Sequence, residues 1–126
     1  MNNRELGYYG ETIAKQYLIG KGYKILMQNF KSKSGEIDII AQIEDYIVFI
    51  EVKTRRTLTY GLPGEAVDRR KQMRYGKIAS TYIRNNRLFD NNYRFDVIEI
   101  YITSNDSYTI NHIENAFEFT STGFYV

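Results

Sequence analysis

Seven consecutive residues, Ile47-Val48-Phe49-Ile50-Glu51-Val52-Lys53, restrict the fold more than any other stretch of the chain. Strand side chains point to alternate faces, so a run that is apolar at every position from Ile47 to Ile50 needs cover on both sides of its sheet. This predicts a central strand in a layered α/β domain. The end of the run breaks the apolar pattern. Glu51 and Lys53 share one face, and an ionised group under cover is costly unless it has a partner.

Few kinds of site can be built from this composition. The 126 residues include no Cys, which excludes disulfides and thiol-ligated metals. With a single His, His112, any site needing two imidazoles is excluded, and a Ser-His-Asp triad would have to use that residue. His112 lies in an alternating stretch and reads as an ordinary strand residue. Chemistry must therefore rest on carboxylates, Lys and Arg. No apolar run approaches the roughly 20 residues that cross a bilayer. The start Met1-Asn2-Asn3-Arg4-Glu5 lacks a secretory apolar stretch, so a cytoplasmic protein is expected.

The net charge of +2 conceals a strong asymmetry. Residues 1–52 hold 6 basic and 7 acidic groups, residues 53–87 hold 10 and 2, and residues 88–126 hold 1 and 6, or −1, +8 and −5. The basic middle reads either as a solvated helix face or as a polyanion-binding surface.

Hydrophobic periodicity predicts a helix over 3–20, with Asn3 as cap, Gly22 as stop, and the small residues Gly7, Gly10 and Ala14 for close packing. Strand-like runs follow at Tyr23 to Phe30, Glu36 to Ile43 and Tyr46 to Thr54, as an antiparallel meander. After Gly61-Leu62-Pro63-Gly64 a second, basic helix is expected over 65–85, then strands at Arg94 to Thr103 and Tyr108 to Asn115. The order α-βββ-α-ββ implies one domain over 1–126, a mixed sheet of about five strands flanked by helices, with an irregular tail from about 116.

If the second hairpin is symmetric about Glu44-Asp45, opposed residues have numbers summing to 89. Asp38 then faces Glu51, Glu36 faces Lys53, and all four groups share a face. A cross-strand salt bridge on a solvated face would be worth about 0–1 kcal/mol. The covered character of the strand favours instead a hard divalent cation held by the two acids. In the second helix, Lys71 fills the gap in the apolar line Val67, Tyr75, Ile78, Tyr82, so it points either inward to an anion or along the surface by snorkelling. Glu11, at the edge of the first helix's buried face, could reach the same site. Of the 12 Tyr, Tyr17, Tyr75 and Tyr82 read as core, whereas Tyr8, Tyr9 and Tyr60 could meet a partner.

These residues carry a family resemblance. Gly10-Glu11, Gly35-Glu36-Ile37-Asp38, Phe49-Ile50-Glu51-Val52-Lys53-Thr54-Arg55, and Lys71 followed by Ala79 and Tyr82 together resemble the YraN-like family, a branch of the PD-(D/E)XK nuclease superfamily. The resemblance spans about residues 7–100, with Ile37 standing where the superfamily name has Pro. It implies a restriction-endonuclease-like fold, similar to archaeal Holliday-junction resolvases. It further implies Asp38, Glu51 and the Val52 carbonyl as ligands of Mg²⁺ or Mn²⁺, Lys53 as the motif lysine, and Glu11 and Lys71 as accessory catalytic residues.

The function so implied is metal-dependent hydrolysis of DNA phosphodiester bonds, with branched DNA as the analogous substrate. Arg55, Arg56, Arg70, Arg74 and Lys77 are the candidate phosphate contacts, with Arg84 on the same helix face. The alternative is a nucleic-acid-binding module of weak or no activity that works with a DNA-processing partner protein. A third possibility is an interaction protein with a structural ion cluster. A homodimer would suit a two-fold DNA junction.

Overall fold

The computed structural model describes residues 1–56, 69–104 and 107–118. Its elements follow the expected order: α1 (Asn3–Gly20), β1 (Lys24–Ser32), β2 (Gly35–Ile43), β3 (Tyr46–Arg55), α2 (Arg69–Asn86), β4 (Asn92–Ser104) and β5 (Ser107–Phe117). The strands form one mixed sheet in the order β1-β2-β3-β4-β5. The first three make the antiparallel meander, β3 and β4 run parallel, and β5 returns antiparallel to β4. The all-apolar run thus lies in the middle strand, as its composition demands.

Each face of the sheet carries one helix. Ile13, Ala14 and Leu18 of α1 pack over Ile39, Val48, Ile50, Ile98 and Ile100. On the other face Tyr75, Ile78, Ala79 and Tyr82 of α2 pack over Ile40, Ile47, Phe49 and Phe95. Phe49 is fully buried, and burial of such a side chain is worth about 1.5–3 kcal/mol. The parallel β3–β4 pair explains why α2 covers its own face, because a parallel crossover needs a long connection, usually a helix.

Several expected boundaries shift. The cap of α1 is Asn2, one residue before the Asn3 expected. The Asn2 side chain accepts the Glu5 N–H at 2.8 Å, and the Glu5 carboxylate accepts the Asn2 N–H at 3.1 Å. Only from Asn2 does a Glu fall three residues on, which completes the reciprocal capping box. Helix α1 closes before Gly22, whose φ of 95° is the left-handed turn that glycine permits. Strand β5 reaches Phe117, slightly past the expected start of the tail. The Gly61–Gly64 break, Val67, Tyr60 and the tail from 119 lie outside the described residues. Among the described residues, no helix is long and apolar enough to cross a membrane.

Candidate active site

The β2–β3 register follows the predicted sum from Ile43 opposite Tyr46 to Ile39 opposite Ile50, and there it stops. The expected pairs Asp38–Glu51 and Glu36–Lys53 do not form. Asp38 is the reason: its Oδ2 accepts the Val52 N–H at 2.8 Å, so a side chain takes the place of the next ladder bond. The strict alternation fails there too, because Ile37 and Ile40 both lie under α2 while Ile39 and Ala41 lie under α1. Glu36 instead pairs with Lys31 on β1, and Lys53 pairs with Glu99 on β4.

Asp38 and Glu51 nevertheless converge at the mouth opened where the two strands part, and the helices reach it from opposite faces. From α2, the Lys71 Nζ lies 2.7 Å from Glu51 Oε1. Of its two readings, the inward one is what the structure contains. The Lys71 ammonium also lies 5.7 Å from the centre of the Tyr75 ring. From α1, Glu11 comes close because Gly10 allows it: a Cβ at Gly10 would fall 1.8 Å from Thr54 Oγ1 on β3. Gly7 has nothing within 4 Å and plays no such part. Asn29 on β1, in the left-handed region at φ 52°, donates from Nδ2 to Glu11 Oε1 at 3.1 Å and to Glu36 Oε1 at 3.0 Å. It ties two carboxylates into the rim of the site.

The electrostatics follow from this crowding. Burial pushes the Asp38 carboxyl up, the Val52 N–H opposes it, and the charges of Glu11, Glu51 and Glu36 add to the rise, to about 7. Burial also raises the Tyr75 hydroxyl, and the Glu51 and Asp38 carboxylates raise it further. Glu51 Oε2 is buried with no hydrogen-bond partner among the described residues. A buried, unsatisfied carboxylate oxygen beside a second carboxylate is a donor set for a hard cation. Among the described residues, no three His, Cys, Asp or Glu side chains are arranged to hold an ion unaided. The fit is therefore to a cation that takes two carboxylates and completes its shell with other oxygens.

Comparison with known proteins sets this geometry in a family. Residues 10–100 match the uncharacterised protein family UPF0102. The chain belongs to that family. A UPF0102 protein of Clostridium acetobutylicum is 50% identical over 117 residues, covering 92% of this chain and 96% of the relative. One of Caldanaerobacter subterraneus is 50% identical over 119 residues, covering 93% and 98%. One of Clostridioides difficile is 49% identical over 117 residues, covering 93% and 100%. UPF0102 is the YraN-like family that the motifs resemble, and the mixed sheet between helices agrees with a restriction-endonuclease-like fold.

The UPF0102 chain spreads its candidate phosphate contacts widely. Arg55 is half-buried beside Tyr101, its partner across the β3–β4 ladder. Arg56 is exposed and donates to the Met1 carbonyl, while the loop that follows lies outside the described residues. Arg70, Arg74 and Lys77 are exposed on α2, and the Arg74 side chain packs near Gly35. They do not join Asp38 and Glu51 in one cluster.

Two polar groups escaped the sequence reading. Glu99 is 1% exposed, beside Lys53 in the ladder, and accepts from Asn111 Nδ2 at 2.8 Å. Asp96, also 1% exposed, accepts from Arg94 Nε and Nη2 at 2.8 Å each, lies 2.7 Å from His112 Nε2, and accepts the Asn115 N–H at 3.0 Å. Tyr17 Oη lies 2.9 Å from His112 Nδ1. His112 is thus a strand residue that fastens α1 to β4 and β5. The signal was present in Phe95-Asp96-Val97-Ile98-Glu99-Ile100, where acids interrupt an otherwise apolar strand.

Proposed function

We propose that this UPF0102 protein is a metal-dependent, endonuclease-like hydrolase of DNA phosphodiester bonds. The observation that carries the reading is Glu51. One of its oxygens is paired to Lys71 and the other is buried without a hydrogen-bond partner among the described residues, beside an Asp38 whose negative charge is itself disfavoured. Asp38, Glu51 and the Val52 carbonyl are the groups that would hold Mg²⁺ or Mn²⁺. When bound, such an ion polarises a phosphoryl oxygen and acidifies a water.

The remaining work falls to the chain. The Val52 N–H orients the Asp38 carboxylate. Lys53, two residues beyond Glu51 on the same strand, orients the attacking water and offsets charge developing on the phosphate. Lys71 exchanges Glu51 for a phosphate oxygen when substrate arrives. Glu11, held through Asn29, accepts protons from water at the rim. Arg55, Arg56, Arg70, Arg74 and Lys77 supply backbone contacts to DNA, and Holliday-junction resolvases supply the analogy for branched DNA and for a two-fold dimer.

A second reading is a nucleic-acid-binding module that turns over only with a partner protein. It is favoured by one observation: Lys71 already occupies an oxygen of Glu51, so the acids are part-neutralised without a metal. Labelled duplex, single-stranded, flap and four-way-junction DNA, incubated with Mg²⁺ or Mn²⁺, separate the two. The hydrolase reading expects divalent-dependent cleavage that falls by about 100-fold or more in Asp38→Asn, Glu51→Gln and Lys53→Ala. DNA binding without cleavage in the parent protein supports the module, and equal cleavage by parent and all three variants overturns the assigned site.

A further inference from the structure

Away from the carboxylates, the turn between β1 and β2 and the second half of α2 enclose an open groove of about 570 Å³. Lys31 at the end of β1 and Lys33 in the turn line one side, and Lys77 and Arg84 line it from the helix. All four are exposed, and among the described residues none of them has an ion-pair partner and none that lines the groove is acidic. Phe30, half-buried with its ring edge-to-face against Tyr82, forms part of the wall. Four cations brought from two distant segments into one concavity repel one another, and an anionic ligand relieves that repulsion.

The dimensions narrow the ligand. A space of this size is in the range that buries a small organic ligand, about one or two nucleotides, and is too small for a duplex. Its wall combines separated cations with an aromatic ring and hydroxyl groups such as Thr81, which is the chemistry of a single-strand groove: backbone contacts together with a stacking surface. The turn also leads directly into the site. Gly35 follows Ser34, and Asp38 lies four residues along β2 from Ser34, about 13 Å of extended chain. Arg74 reaches the near end of this stretch from α2, since a Cβ at Gly35 would lie 3.6 Å from its Cδ.

We propose that this groove is a subsite for single-stranded nucleic acid, holding one or two nucleotides of a strand that runs past Arg74 to the carboxylates. The proposal deepens the hydrolase reading by naming an unpaired strand as the part of the substrate recognised there. It assigns Lys31, Lys33, Lys77 and Arg84 to phosphate contacts and Phe30 to a base.

The test is fluorescence anisotropy of a labelled 12-nucleotide oligothymidylate and a 12-base-pair duplex, titrated with full-length protein across a salt series in EDTA. The double variant Lys33→Ala/Arg84→Ala should weaken oligothymidylate binding about tenfold. It should also flatten the logarithmic salt slope by about 1.4, or 0.7 for each lost contact, while changing duplex binding less than threefold. Unchanged melting temperature confirms that these exposed substitutions leave the fold intact. Equal weakening for both oligonucleotides overturns the single-strand assignment, and no weakening for either overturns the subsite. Asp38→Asn is the separating control. Loss of cleavage with intact oligothymidylate binding concerns the carboxylates alone, whereas a protein that cleaves nothing yet shows the tenfold effect retains the groove and loses the hydrolase reading.

Discussion

Lys71 and Glu51 form a 2.7 Å ion pair through Oε1 of the carboxylate, while Oε2 is buried without a hydrogen-bond partner among the described residues. The pair spans a helix and the central strand, so it is at once a packing contact and half of a neutralisation. Removing the lysine leaves a carboxylate that is 13% exposed beside a second, half-buried acid.

Lys71→Met should therefore destabilise the metal-free protein by about 1–3 kcal/mol, between the values for exposed and fully buried pairs. Saturating Mg²⁺ should raise its melting temperature more than that of the parent, because the ion would bind the native state in place of the missing charge. Equal shifts in differential scanning fluorimetry would show that the lysine and the cation do not share Glu51.

Asp38 makes stability depend on pH in the opposite sense to most carboxylates. Its folded value near 7 exceeds the ordinary 3.8, so between these limits the native state binds more protons than the unfolded chain. Stability of the metal-free protein should fall as pH rises from about 4 to about 7 through this group, and level off above. Asp38→Asn keeps an acceptor for the Val52 N–H and should be more stable than the parent by about 1–3 kcal/mol at pH 8 and unchanged at pH 4. Urea midpoints at the two pH values check this.

Gly7 and Gly10, both in α1, should behave differently. Gly10→Ala places a methyl 1.8 Å from Thr54 Oγ1 and must push the helix off β3, at a cost of about 1–3 kcal/mol. Gly7→Ala meets nothing within 4 Å and should gain up to about 1 kcal/mol from helix propensity. Thermal melts of both variants read the contrast directly.

Asp96 carries the acid limit. Burial alone would raise its carboxyl, but hydrogen bonds from His112, Arg94 and the Asn115 N–H outweigh it and hold the group below its usual value. Its contribution is complete above the unfolded value of 3.8 and is lost as pH falls through the lower folded value. Asp96→Asn should cost about 2–4 kcal/mol at pH 7, since it leaves the Arg94 guanidinium without its main partner, and should flatten the acid limb of a stability–pH curve.

Much of this architecture was legible because it rests on local rules. The apolar run through Ile50 placed the central strand, and the turn at Glu44-Asp45 gave the correct register as far as Ile39. The rule failed at Asp38 for a chemical reason: its carboxylate competes with the backbone of its own strand for the Val52 N–H, and no periodicity reports such competition. Lys71 was legible as a gap in an apolar line. Glu99 and Asp96 stood out only as acids in an apolar strand; their partners Asn111 and His112 were not legible, because the β4–β5 pairing and the approach of α1 that set them are long-range properties.

The parallel seam between β3 and β4 has a consequence in folding time. Asp38 and Glu51 are joined by a hairpin that closes over two residues, whereas Lys71 belongs to a crossover that pays the closure entropy of a much longer loop. The acids can meet early and their counter-charge arrives late. In kinetic terms, Lys71→Met should leave the refolding rate nearly untouched and place its whole penalty in faster unfolding, which stopped-flow chevron analysis would register.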